Sequence, residues 1–96
     1  MKVITICGSM RFARQMQKIA FELEVNQGYC ALTPVGDATA KPSAKEIEKL
    51  SKAHFKKIDM SDAVYIVNIG GYIGESVSRE LCYAKEHNKE IIYHEK

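Results

Sequence analysis

The chain has 96 residues, 46% of them hydrophobic and 27% charged, with a formal net charge of +2. That length permits one domain, residues 1–96, around a single core, and that balance excludes a disordered or fibrous chain. The excess positive charge comes from lysines interspersed with acids rather than from a basic block, which argues against a nucleic-acid polymer as partner.

Residues 2–7, KVITIC, are rich in β-branched side chains and stop at Gly8, which predicts a buried strand and a tight turn. Phe12, Met16, Ile19 and Leu23 then recur at helical spacing, and NQG at 26–28 supplies a left-handed cap, so a helix is predicted over about 11–26. YCAL at 29–32 reads as a short strand. The following TPVGDATAKPS carries both prolines and reads as a loop, long enough to cover a site. Ser43 and Glu46 have capping-box spacing ahead of a second helix, whose inner stripe is read as Ile47, Leu50, His54 and Ile58. Lysines 41, 45, 49, 52, 56 and 57 are interrupted by Glu46 and Glu48 and read as its solvated face. AVYIVNI at 63–69 is a nearly unbroken apolar run, the pattern of a strand covered on both faces, closed by Gly70 and Gly71. Val77, Leu81, Ala84 and Asn88 trace a third helix, and EIIYH at 90–94 a last strand.

Strands and helices thus alternate, which predicts a three-layer α/β domain, Rossmann-like or flavodoxin-like, with a parallel sheet of four strands. So small a sheet has edges and helix faces to cover, so a homodimer or higher homo-oligomer is expected. Three widely spaced cysteines (Cys7, Cys30, Cys82) without a C-x-x-C pair read as reduced thiols in a cytoplasmic protein, and call for no metal and no cofactor. The apolar part of MKVITIC is too short for a signal peptide or a membrane span, so no membrane partner is expected.

Chemistry in a parallel α/β fold collects at the carboxyl edge of the sheet, which directs attention to two junctions. In CGSMR, Gly8 lets the backbone turn closely, Ser9 can cap a helix start, and Arg11 adds a charged fork, a combination suited to phosphate. The same residues also fit a plain strand-to-helix turn. A phosphatase loop needs five residues between cysteine and arginine; Arg14 follows Cys7 after six, so that reading fails, and Cys7 reads as a small residue ending a buried strand. In YIGESVSRE, Ser76 and Glu80 lie four apart on one helix face near the helix start, whose partial positive charge favours an ionised Glu80, and on spacing alone acids there equally fit the plain role of complementing the helix dipole. Tyr72 follows two glycines, where a ring can stack on a base or cap the core, and His54 on its apolar stripe reads as a core or interface residue unless it serves the site.

Together, GSMR after the first strand, the acid-led SDAVYIVNI and the segment GESVSRELCYA resemble the nucleoside 2-deoxyribosyltransferase superfamily, which includes the 2′-deoxynucleoside 5′-phosphate N-hydrolases. The resemblance spans nearly the whole chain. It implies a nucleoside or nucleotide as small-molecule partner, with Glu80 as the nucleophile that attacks the anomeric carbon of deoxyribose and expels the base. It also implies that Gly8, Ser9, Arg11, Asp62, Gly71, Tyr72, Gly74 and Ser76 face the substrate, Asp62 matching the acid that opens the family's third strand. Where the family has an aspartate or serine six residues before the glutamate this chain has Gly74, and His54 stands where it has a further aspartate. His54, or Asp37 of the long loop, is then the candidate proton donor for the leaving base. GSMR also resembles the flavin-phosphate loop of NADPH-dependent FMN reductases, although Arg14 stands where those enzymes carry a serine. A non-catalytic nucleotide sensor is the third reading.

Overall fold

The two apolar runs richest in β-branched residues become the two inner strands of one sheet. The computed structural model describes residues 1–36, 39 and 41–96, so Asp37 lies outside the described residues. Four strands, β1 (Val3–Cys7), β2 (Cys30–Leu32), β3 (Ala63–Ile66) and β4 (Glu90–Tyr93), are all parallel and lie in the order β2-β1-β3-β4. The register aligns Cys7 with Ile66 and Ile66 with Tyr93, so three strands reach one carboxyl edge together.

Three helices cover this sheet: α1 (Ala13–Gln27), α2 (Ala44–Asp59) and α3 (Glu75–Glu86). Alternation along a strand sends successive side chains to opposite faces. Ile6 accordingly packs with Met16 and Ile19 of α1, whereas Cys7, Val64 and Ile66 pack with Ile58 of α2 and with Val77 and Ala84 of α3. The inner strands are sealed on both faces, with Ile4, Ile6, Cys7, Val64 and Ile66 having no exposed surface. The architecture is the expected three-layer α/β arrangement, Rossmann-like or flavodoxin-like. Among the described residues no helix is long and apolar enough to cross a membrane.

The element ends follow local chemistry. The capping box forms at α2: the Ser43 hydroxyl accepts the Glu46 N–H at 3.2 Å and the Glu46 carboxylate accepts the Ser43 N–H at 2.8 Å, an exchange that satisfies two orphan donors of the first turn. The lysines of α2 are exposed as expected except Lys57, whose ammonium donates to the Thr33 carbonyl at 2.7 Å. Four expectations need correction. α1 begins at Ala13 rather than near 11, because Ser9 caps a 3-10 turn over Met10–Phe12 that comes first. β3 ends at Ile66 rather than 69, because Gly70 and Gly71 take φ of 65° and 79° in a second 3-10 turn, Ile69–Gly71, a backbone that does not continue a strand. Ile47 and Leu50 do not join the core: they are 53% and 37% exposed, and of the predicted stripe His54 and Ile58 alone are buried. Asn88 likewise lies past the end of α3, exposed, at a φ of 58°.

Candidate active site

After β1 the chain passes to α1 on one face of the sheet, and after β3 to α3 on the other. Connections that diverge from adjacent parallel strands leave a crevice at their carboxyl ends. Here it is a cleft of about 640 Å³, within the range that holds small ligands. Gly8, Ser9 and Arg11 form one wall, Tyr72, Gly74 and Ser76 another, and His54 and Glu80 also line it. The long connection before α2 contributes Pro34, Val35 and Pro42, as expected of a loop that covers a site. Ile47 and Leu50 line the same cleft, which is why their apolar side chains stay outside the core.

Gly8 is required by crowding: a Cβ there would lie 2.8 Å from Met16 Sδ and 3.0 Å from Val67 Cβ, so the β1 exit runs tightly against α1. The Ser9 hydroxyl accepts the Arg11 N–H at 3.3 Å, which turns the loop and leaves Arg11 exposed. The Arg11 guanidinium lies over the Tyr72 ring, 3.9 Å from its centroid, and Phe12 meets that ring edge-on at 6.2 Å. Stacking on an aromatic face holds a guanidinium in place while its N–H groups stay free for an anion. The loop bearing Tyr72 is itself tied down: Glu95 accepts the Gly70 N–H at 3.0 Å, and the Asn68 amide exchanges hydrogen bonds of 2.9 and 2.7 Å with the Glu95 backbone. Arg79 bonds Glu75 at 3.2 Å and Ser76 at 3.4 Å along the outer rim.

The chemically unusual part is the floor, lined by His54 and Glu80, together with Cys7, which is sealed beneath it. Cys7 ends β1, His54 lies mid-way along α2 and Glu80 in the second turn of α3, and one donor atom from each lies within 4.8 Å of the others. Cys7 Sγ and Glu80 Oε1 each stand 3.5 Å from the same imidazole nitrogen, Nε2. The Glu80 side chain is 15% exposed and that of His54 7%. Burial pushes the Glu80 carboxyl up from 4.5 to about 7, against weaker downward pulls from the Cys7 thiol and the Arg79 charge. Burial, helped by the Lys57 charge, lowers His54 to about 4. Burial also raises the Cys7 thiol well above its ordinary value, with the Glu80 charge adding to the effect. At neutral pH the imidazole is therefore uncharged, and the 3.5 Å contact with Glu80 is not an ion pair. The helix-start field expected to keep Glu80 ionised is outweighed by desolvation.

This group is not a nucleophile relay. A cysteine–histidine–carboxylate relay needs the two partners on opposite ring nitrogens; here both converge on Nε2, and the buried Nδ1 has no partner among the described residues. Eight of the ten candidate residues line the cleft, and two do not. Asp62 precedes β3 at the opposite edge of the sheet, where its carboxylate accepts the Val3 N–H at 2.8 Å. Gly71 is exposed in the 3-10 turn and serves the backbone path. No family model matches the chain, and no curated protein matches it. Two further residues belong to this region: Arg79, which lines the cleft and whose i,i+4 spacing to Glu75 is visible in the sequence, and Cys7, which lies beneath the floor where no motif announces it.

Proposed function

We propose that the cleft binds a nucleoside or nucleoside 5′-monophosphate and that Glu80 opens the N-glycosidic bond of its deoxyribose. The observation that carries this is a mostly buried carboxyl on the floor of a nucleoside-sized cleft, facing walls that offer a stacked arginine and two serines. Arg11 and Ser9 are suited to the 5′-phosphate, Ser76 to phosphate or a sugar hydroxyl, and Ile47, Leu50 and Phe55 to the flat face of a base. Of the ten residues that the resemblance to deoxyribosyltransferases implies, eight line this cleft and Asp62 and Gly71 do not.

In the proposed reaction an oxygen of ionised Glu80 bonds to C1′ as the C1′–N bond breaks, its electron pair leaving with the base nitrogen. The transition state resembles an oxocarbenium ion, which a carboxylate in a dry site stabilises. The leaving nitrogen takes a proton from water at the open mouth. In the second step a water oxygen, or an acceptor base, attacks C1′ and Glu80 departs as carboxylate. His54, neutral and 3.5 Å from Glu80, acts as a positioning residue rather than as the acid. Incubation with a panel of deoxynucleosides and their 5′-monophosphates, with free base measured by chromatography, tests the reading. Base release lost in Glu80→Gln supports it; release unchanged in that variant removes Glu80 from the reaction.

One observation favours a second reading, a nucleotide-binding module without cleavage. Among the described residues the other carboxylate lining the cleft, Glu75, is 90% exposed and bonded to Arg79 at 3.2 Å, so it is not held as a proton donor to a base. A nucleotide that raises the unfolding temperature without being consumed would decide for that module. Self-association, with Phe21 and Val25 exposed one turn apart on α1, is part of the proposal; light scattering that returns a monomer at micromolar concentration contradicts it.

A further inference from the structure

The cluster that cannot act as a relay places three different metal-ligating atoms within 4.8 Å of one another, close enough to share one cation. We propose that Cys7 Sγ, His54 Nε2 and Glu80 form a three-ligand site for a zinc-like divalent cation, with the fourth position open to the cleft. Zinc ligands at about 2.3 Å for sulfur and about 2.0 Å for nitrogen and oxygen, set tetrahedrally, are separated by about 3.5 Å for S–N and about 3.3 Å for N–O. The observed separations are 3.5 Å for Cys7–His54 and 3.5 Å for His54–Glu80, with all three atoms within 4.8 Å of one another. The remaining edge, Cys7 to Glu80, also falls within 4.8 Å, and the Arg79 charge acts on Glu80 more weakly than burial does.

The donor set selects the metal class. Thiolate, imidazole and a single carboxylate suit zinc and its borderline neighbours, whereas magnesium and calcium require shells of oxygen. Three protein ligands with one position left open is the pattern of reactive rather than purely structural zinc sites. Cys7 and Ile58 lie in the sealed core, so the thiol is held in place by packing on the strand end while Glu80 supplies the approach from the cleft. The His54 ring has one deficit. Its Nδ1 lacks a partner among the described residues, and second-shell bonds of that kind are typically worth about 10–100-fold in affinity, so binding weaker than at a fully supported zinc site is expected.

Metal binding competes with attack on C1′, because coordination draws electron density from the Glu80 carboxylate that would bond carbon. The site does not rest on the glycosidase reading, and its test reads metal alone. Chelator-stripped full-length protein is titrated with cobalt(II). The expected result is one cobalt per chain, with thiolate-to-cobalt charge-transfer absorption and the intense visible bands of a four-coordinate ion, both abolished by equimolar zinc. The Cys30→Ser/Cys82→Ser double variant keeps Cys7 as the sole thiol and retains the full signal. Cys7→Ser loses the charge-transfer band, and Glu80→Gln binds at least about tenfold more weakly. Absence of the charge-transfer band from the double variant, or only the weak bands of a six-coordinate ion, overturns the proposal.

Discussion

Glu80 and His54 are shifted in opposite senses by the same burial, so their effects on folding stability oppose each other, and removing either should expose the other. Glu80 is raised from 4.5 to about 7. Its contribution is fully present below pH 4.5 and is lost as pH rises through its folded value. His54 is lowered from 6.5 to about 4. Its contribution is present above pH 6.5 and is lost as pH falls through its folded value. Each shift is about 2.5 units, which at about 1.4 kcal/mol per unit is roughly 3 kcal/mol. Between the two ordinary values the slopes cancel, and the pair adds almost no pH dependence to the metal-free protein. Glu80→Gln leaves the histidine alone, so stability rises by about 3 kcal/mol as pH increases across that window. His54→Leu keeps the carboxyl desolvated and titrating, so stability falls by a similar amount over the same window. Urea unfolding followed by circular dichroism, in chelator, at several pH values for the three proteins measures this directly. All other titrating groups are shared, so differences between variants isolate the pair. Parallel stability profiles for all three proteins would refute the claim that burial shifts these two groups in opposite directions.

Further expectations concern Gly8, Asp62 and the protonation of Glu80. Gly8→Ala places a methyl group 2.8 Å from Met16 Sδ and 3.0 Å from Val67 Cβ, which should cost about 1–3 kcal/mol by overpacking and displace the Ser9–Arg11 wall; an unchanged melting temperature contradicts it. Asp62→Ala loses the bond to the Val3 N–H and should cost about 1 kcal/mol while leaving base release unaltered, and a selective loss of activity would return Asp62 to the site. If Glu80 attacks as a carboxylate, kcat/KM for base release rises with pH through an inflection near its folded value of about 7 and levels above it. A profile that falls through the same region assigns Glu80 the role of an acid.

The layers of the fold were legible because their signals are local. An unbroken β-branched run marks an inner strand, and the Ser43–Glu46 spacing marks a helix start whichever way the helix later packs. What failed did so for want of depth information. Ile47 and Leu50 keep helical spacing with Ile58, and periodicity cannot tell a side chain that seals a core from one that walls a cleft. Asp62 was misplaced by strand direction: it stands four residues before the close of β3 at Ile66, which at about 3.3 Å each is about 13 Å, so an acid opening the strand cannot reach a site at its close. The floor of the cleft was half legible. Ser76 and Glu80 share a face by helix geometry, but the meeting of Cys7, His54 and Glu80 depends on how β1, α2 and α3 align, and neither spacing nor cysteine count encodes that. The charge state of Glu80 was misread for the same reason, since the helix-start field is a local effect and desolvation is not.

The central claim is that the Glu80 carboxylate forms a bond to the sugar. Intact-mass spectrometry of the protein, quenched in acid during turnover of a deoxynucleoside or its 5′-monophosphate that releases base, tests it most directly. The account predicts a chain heavier by one deoxyribosyl or deoxyribosyl-phosphate group, located by peptide mapping at Glu80 and absent from Glu80→Gln. Base release that persists in Glu80→Gln, or an adduct mapped to any other residue, would contradict it.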